Sequence, residues 1–458
     1  MRRPESARLM FWSIIAAGLL GGVFLAGLYS GATKNAAFAL VRDLRMKTRV
    51  AVMTVMKEAP ILVRSRPEWH LQPARHAGSG VTIDKTPDDD LVLMAGFFDD
   101  GNELRLIRRD GSIVARWPVA FSELFTDTRH VHEPPATDWN TDTHGALIQP
   151  DGSVVFVFEY MGLVKLDRCG GLQWKVAAAV HHSVERAEAS GYWVPGRNYV
   201  LEEASARFPP FSAPYFEDTV LRISESGEIL EERSLIDLFY RAGMAAWLTV
   251  MPGSELEQRM HGEILHLNKV AELETGMAAD FPMFAAGDLL LSVRELNMIL
   301  VTDPELQRVK WWRVGPWIRQ HDPEFKAGGR ISVFNNNAYK SAFGRDNYFN
   351  RSNPTIPRVS GIIEINPATD EHRRVYGGVE GQEVLTVIRG KHELTPRGGL
   401  LITEFEGGRV FETDSSGRTV WQYVNRYDAD EVAEITEARI YPADYFTVSD
   451  WSCAMPAD

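Results

Sequence analysis

Cysteine is nearly absent from the chain. Cys169 and Cys453 are the only two, and neither belongs to a CxxC pair. Two are too few for a disulfide framework, the spacing argues against a structural zinc site, and whether they pair stays open. An excess of positive charge is also missing: 49 Lys and Arg face 62 Asp and Glu, for a net charge of −13. Phosphate backbones need a basic face, so nucleic acid is excluded as a partner. No HExxH occurs, and the only HxH, His130-Val-His132, lies beside two prolines. No metal site is therefore expected from spacing.

Long apolar runs are equally scarce, with one exception. Leu9 to Tyr29 carries no charge over 21 residues and follows Arg2, Arg3 and Arg8. That length suffices for a membrane-spanning helix and exceeds the usual apolar core of a cleavable signal peptide. The competing reading is a signal with a late cleavage site near Ala36-Ala37-Phe38-Ala39. Lys34, Arg42, Arg45, Lys47 and Arg49 follow the span, so basic residues flank both ends and the positive-inside rule does not decide the orientation. The short arginine-bearing N-terminal tail favours a single-pass inner-membrane anchor with the remainder facing the periplasm. Residues 34 to 58 read as a basic amphipathic helix for a membrane surface or a partner, or as a plain stalk. The expected organisation is a tail and anchor over 1–32, a helical stalk over 33–75, and a folded body over 76–458.

What the body has in plenty is repetition. Five segments start at a histidine and run into a glycine turn and an apolar strand: those led by His144, His182, His266, His321 and His392. A period of roughly 40 to 70 residues marks a repeat architecture, and short β-rich runs between Asp-Gly, Ser-Gly and Gly-Gly turns point to a β-propeller. Six blades can be counted. The first spans VTIDKTPDDDLVLMAGFF and ELRLIRRDGSIVARWPV, and the last is KHELTPRGG to VWQYVN. Trp117, Trp174, Trp311 and Trp421 occupy matching places in four outer hairpins and read as packing between blades. The expected fold is all-β: a six-bladed β-propeller preceded by an N-terminal transmembrane helix and a short helical stalk. Segments 195–218 and 335–358, rich in Pro, Asn, Tyr and Phe, read as long functional loops carrying Arg197 and Arg345.

Equivalent positions of successive blades line one channel, so histidines in one phase converge there. A lone histidine at a strand start reads more simply as a hydrogen-bonded structural residue; shared phase is what singles these out. His70, His76, His181, His261 and His372 have no such positional argument.

The ordered motifs LHLN, SVREL, QHDPEF, SVFNN and KHELTPRGGLLITEFEGGRVFETDSSGRTVW resemble the arylsulfotransferase family of exported bacterial β-propellers. The resemblance covers roughly residues 140 to 440. It implies transfer of a sulfuryl group from a phenolic sulfate donor to a phenol acceptor, with a transient sulfo-histidine and neither a nucleotide sulfate donor nor any cofactor. It further implies His392 as nucleophile, with His321, His266 and Arg345 as the other catalytic residues. Asn268 of the H-x-N motif and Arg294 closing the next strand are expected to bind substrate, together with His144, His182 and Arg197. Two departures stand out. Asn335 or Asn336 replaces the usual Asp of the family's "FDN", and residues 30–80 are too short for its extra N-terminal β-sandwich.

Sulfuryl transfer spreads negative charge over three equatorial oxygens, so it calls for cations and donors around a neutral nucleophile; imidazole is neutral at pH 7. Two other readings stand beside it. Imidazoles meeting in a channel suit zinc or copper, against which stand the spacing and a channel arginine. An anchored propeller also suits a non-catalytic scaffold within a membrane-protein complex.

Overall fold

The computed structural model describes residues 5–33 and 65–453, apart from 203–206, 209, 210, 212, 250–261 and 339–359, with scattered positions between 35 and 59. The chain divides into two compact units, Met1–Arg66 and Pro67–Asp458. In the first, Glu5–Thr33 is one helix, and its stretch Trp12–Thr33 is long and apolar enough to cross a membrane. The mean hydropathy of that stretch is 1.8 and none of it is buried. The described positions between Ala36 and Ala59 are also helical.

The second unit is a six-bladed β-propeller of antiparallel sheets. Blade 2 runs through Thr143–Ile148, Val154–Phe158, Gly162–Leu166 and Leu172–Val176. Blade 3 comprises Glu185–Arg186, Tyr192–Val200, Tyr215–Ile223 and Ile229–Ser234; blade 4 comprises Leu267–Glu272, Leu289–Val293, Met298–Thr302 and Val309–Val314. Blade 5 is built from His321–Lys326, Arg330–Asn335, Gly361–Ile365 and His372–Tyr376.

The ring closes twice. Blade 1 contains Leu91–Phe98, Gly101–Ile107 and Ile113–Pro118, but its innermost strand is the C-terminal Ile435–Tyr441. Blade 6 (Lys391–Leu394, Leu400–Glu404, Arg409–Thr413, Thr419–Val424) gains a fifth, outermost strand from Gly80–Asp84. The sequence count placed VTID in the first blade. The structure moves it to the last, because a closed ring must tie its ends together to leave no open edge. A short strand, Leu71–Pro73, pairs with Glu431–Ala433 as a further tie.

The middle strands are apolar on both faces because each blade is sandwiched between two others. Six buried clusters result, one per interface; Leu93 and Trp117 meet Phe156 and Val164 between blades 1 and 2, and Val410 and Trp421 meet Met94 and Ile440 between blades 6 and 1. The repeated tryptophans do what their phase implied. Trp117 donates its indole N–H to Asp167 O (3.0 Å), Trp174 to Glu225 O (2.8 Å) and Trp421 to Arg109 O (2.8 Å). Each acceptor lies in the outer turn of the next blade, so burying the ring and satisfying its N–H are one event. Trp311 packs partly buried into the blade 4–5 cluster.

Segment 195–218 is not a loop at its ends. Tyr192–Val200 and Tyr215–Ile223 pair in register over nine residues each, and Arg197 faces Asp218 within that ladder. Proline and aromatic content misdirected the sequence reading; Pro195 sits on a strand that the hairpin still pairs. Most of segment 335–358 lies outside the described residues. Cys169, in the outer turn of blade 2, forms a disulfide with Cys453 of the C-terminal segment (Cα–Cα 5.6 Å).

Candidate functional site

Irregularities in the inner strands place the polar residues. Register shifts interrupt the pairing between Thr143 and Ala146, Leu267 and Lys269, and His321 and Glu324. His182, His266 and Asp322 sit at left-handed φ of 62°, 58° and 48°. A bulge re-aims side chains locally, so the inner strands of blades 2, 4 and 5 turn His144, His266 and His321 at the points where their ladders are broken. Gly145 belongs to the same device: a Cβ there would lie 2.6 Å from His182 O and 2.7 Å from Ser183 Cα.

The result is a buried imidazole cluster. His182 stands at its centre, with ring centroids 4.5 Å from His144, 4.8 Å from His266 and 5.9 Å from His321. His182 Nε2 and His266 Nε2 are 3.1 Å apart. On their other nitrogens, His266 Nδ1 meets Glu263 Oε1 at 2.6 Å and His321 Nδ1 meets Asn336 Oδ1 at 2.7 Å. His144 Nδ1 contacts Glu159 Oε2, and His182 Nδ1 lies 2.8 Å from His181 Nδ1. His321 Nε2 is buried with no hydrogen-bond partner. Burial pushes His144 and His266 below the usual imidazole range and His181, His182 and His321 well below it, so all are neutral at pH 7. Burial opposes ionisation of Glu159 and Glu263, but His144 with Arg389 outweighs it at the first, and His266 with Arg197 at the second, holding both carboxyls low.

Around the cluster runs a belt of ion pairs. Arg197 binds Asp218 (3.2 Å) and Glu263 (2.8 Å), Arg294 binds Glu295 (2.8 Å), Arg319 binds Glu295 (3.0 Å), and Arg389 binds Asp142 (2.8 Å).

Blade 6 contributes its histidine to a different place. His392 lines a cavity of about 390 Å³ together with Ser332, Asp322, Glu324, Lys269 and Arg439. Its Nε2 is 2.8 Å from Ser332 Oγ. Asp322 Oδ2 accepts its backbone N–H at 2.8 Å and lies 3.5 Å from its Nδ1. Lys269, fully buried, bonds Glu185 (2.6 Å), Asp322 (3.0 Å) and Glu324. Burial disfavours its charge, yet Asp322 and Glu185 dominate and keep it protonated. Burial, offset by Lys269 but reinforced by Asp322 and Glu185, pushes Glu324 up to about 8; burial lifts Glu393 to about 7.

The structure thus brings together His144, His182, His266 and His321, with Arg197 and Arg294 in the belt around them. Asn268 donates to Gln320 O (2.8 Å) between the inner strands of blades 4 and 5. His392 belongs to the cavity, and Arg345 lies outside the described residues. Sequence reasoning passed over His181, which completes the imidazole chain, and His70, which is buried against Glu434 (2.9 Å) and stacked on Phe97. His181 precedes a phased histidine, and that adjacency was a signal. His70 precedes the first blade and offered none. Lys269 lay three residues past His266 in its inner strand, also unremarked.

A family model for arylsulfotransferases (ASST) matches residues 145–426, more than half of the chain. The chain belongs to the arylsulfotransferase family. No curated protein matches the sequence. Among solved structures, a protein of unknown function from Bacteroides caccae is 12% identical, with a TM-score of 0.47, over 77% of this chain and 99% of its own. BamB from Moraxella catarrhalis is 10% identical at a TM-score of 0.32, over 78% and 88% respectively. A chain of the nidogen/laminin complex is 9% identical at 0.41, over 77% and 98%. An arylsulfotransferase domain suggests sulfuryl transfer and phenolic substrates.

Proposed function

We propose that the protein moves a sulfuryl group from a phenolic sulfate ester to a phenol through a transient sulfo-histidine at His392. The observation that carries this is the placement of His392 in a cavity beside a buried, protonated lysine and a carboxyl that is still protonated at neutral pH. Arg439, held charged because Glu185 and Glu437 outweigh its burial, adds a second cation on the cavity wall.

Two in-line steps follow. His392 Nε2 leaves Ser332 and attacks sulfur; the sulfur–aryl oxygen bond breaks, and the departing phenolate takes the proton of Glu324. In the second step the acceptor phenol returns its proton to the Glu324 carboxylate as its oxygen attacks sulfur, and the nitrogen–sulfur bond breaks. Dividing the transfer in this way is ordinary covalent catalysis, and Lys269 and Arg439 stabilise charge on the sulfuryl oxygens. Asp322 holds His392 in place through the backbone N–H of that residue.

The same proposal places the protein at the inner membrane, a single pass through Trp12–Thr33, with the propeller in the periplasm. The apolar helix supports the anchor, and the Cys169–Cys453 disulfide supports an oxidising compartment. A scaffold role in a membrane-protein complex draws on one observation: Arg197, Arg294, Arg319 and Arg389 are each already matched to a carboxylate.

The test is transfer from 4-nitrophenyl sulfate to a phenol. Nitrophenolate release that depends on acceptor and vanishes in His392→Ala supports the enzyme. A folded wild type without turnover across a panel of phenols favours the scaffold.

A further inference from the structure

The His392 cavity holds a second nucleophile that sulfuryl transfer leaves idle. Ser332 lies on the second strand of blade 5, and its Oγ is 2.8 Å from His392 Nε2. On the other side of the ring, His392 Nδ1 is buried without a hydrogen bond and faces Asp322 Oδ2 at 3.5 Å. Catalytic contacts of this length tighten when substrate binds. Asp322 reaches this place because its ladder breaks between His321 and Glu324, with its own φ at 48°. It is then held by the backbone N–H of His392 (2.8 Å) and by Lys269 Nζ (3.0 Å), with Lys391 Nζ at 3.5 Å. Burial opposes its ionisation, but Lys269 and Lys391 outweigh burial and hold the carboxyl well below its usual range. A carboxylate only accepts, so the ring proton belongs on Nδ1 and Nε2 presents its lone pair to the Ser332 hydroxyl. Nucleophile, base and orienting carboxylate thus stand in order around one imidazole. The three residues come from two blades and share no local motif, so residue spacing could not show them.

We propose that this cavity also hydrolyses carboxylic esters of phenols, with Ser332 as nucleophile, His392 as base and Asp322 positioning His392. The Ser332 hydroxyl passes its proton to His392 Nε2 as Oγ attacks the carbonyl carbon. The bond from that carbon to the aryl oxygen breaks, and the phenol departs with the proton. Water then gives a proton to Nε2 while its oxygen attacks the acyl carbon. Ser332 Oγ leaves with that proton, and the carboxylic acid is released. Lys269 and Arg439 line the cavity and supply cations for the oxyanion; the Nε–H of Arg439 is buried without an acceptor. Met277, Phe325, Leu394 and Leu400 give the cavity an apolar wall for an aryl or short acyl group, and its volume of about 390 Å³ suits a small ester. The reaction shares His392 with sulfuryl transfer but not the covalent intermediate. The acyl group sits on Ser332 and the sulfuryl group on His392, so either activity can fail without the other.

The test uses the full chain, purified in detergent, with 4-nitrophenyl butyrate as substrate and a biotinylated fluorophosphonate as a separate label. Nitrophenolate release above the buffer rate is expected, with the label mapped by peptide mass spectrometry to Ser332 alone. Ser332→Ala, folded by circular dichroism, should lose the label and at least about 10³-fold of the hydrolysis, and His392→Ala should lose as much hydrolysis. Asp322→Asn should lower hydrolysis about 10²–10⁴-fold, and Asp322→Glu should recover part of that loss. A label on another residue, hydrolysis undiminished in Ser332→Ala, or a folded wild type no faster than buffer would overturn the proposal. Absence of sulfuryl transfer in the same preparation would refute the sulfo-histidine alone.

Discussion

The imidazole cluster and the His392 cavity occupy neighbouring stretches of the same inner strands, yet they are built to opposite ends. In the cluster, histidines are neutral and tightly packed, with His182 Nε2 3.1 Å from His266 Nε2. In the cavity, one histidine stands among Lys269, Arg439 and several carboxyl groups with open space beside it. The bulge at blade 5 joins the two: His321 turns into the cluster, and Asp322, the next residue, turns to His392. One inserted residue is enough to send adjacent side chains to different tasks. Ammonium and guanidinium groups beside a protonated carboxyl suit an anionic ester.

Four variants sharpen this contrast. The largest effect is expected in the cavity: His392→Ala should lower acceptor-dependent turnover by at least about 10³-fold, measured with 4-nitrophenyl sulfate. Next is Glu324→Gln, for which a loss of about 10²–10⁴-fold is expected if Glu324 is the proton donor. In the wild type its carboxyl, raised to about 8, stays protonated below that pH, so kcat should fall as pH passes about 8. The glutamine variant should lose that limb. The shift has a matching sign in stability: a raised carboxyl favours the folded state at low pH, and its contribution fades as pH rises from the unfolded value toward 8.

Removing the Cys169–Cys453 bridge touches neither site. Double replacement by Ser should cost about 2–5 kcal/mol, measured by chemical denaturation, with turnover per folded molecule retained. The smallest stability effect is expected from Gly145→Ala, yet it should separate the two regions. Its methyl must push back the backbone at His182 and Ser183, at about 1–3 kcal/mol, while the His392 cavity keeps its turnover.

Much of the fold was legible in the residues. Histidine phase, Asp-Gly turns and repeated tryptophans pointed to the propeller, because a blade stacked on both faces must repeat its turn chemistry and its packing residues. The closing strands were not legible, since Gly80–Asp84 and Ile435–Tyr441 have no partner near in sequence. The histidines were visible as a set, but the division between His392 and the others was not. It depends on where each ladder bulges, and residues such as His266 and Asp322 enter left-handed conformations that no glycine announces. His181 and Lys269 were passed over for the same reason: their importance comes from neighbours on other blades.

Trapping the intermediate decides whether His392 is the nucleophile. The wild type would be mixed with 4-nitrophenyl sulfate in the absence of acceptor, quenched under alkaline denaturing conditions that preserve nitrogen–sulfur bonds, and mapped by peptide mass spectrometry. A burst of nitrophenolate matched by a sulfuryl group on His392 is expected, formed more slowly in Glu324→Gln. A sulfuryl group on His321 or His182, or turnover with no adduct at all, would contradict covalent catalysis at His392.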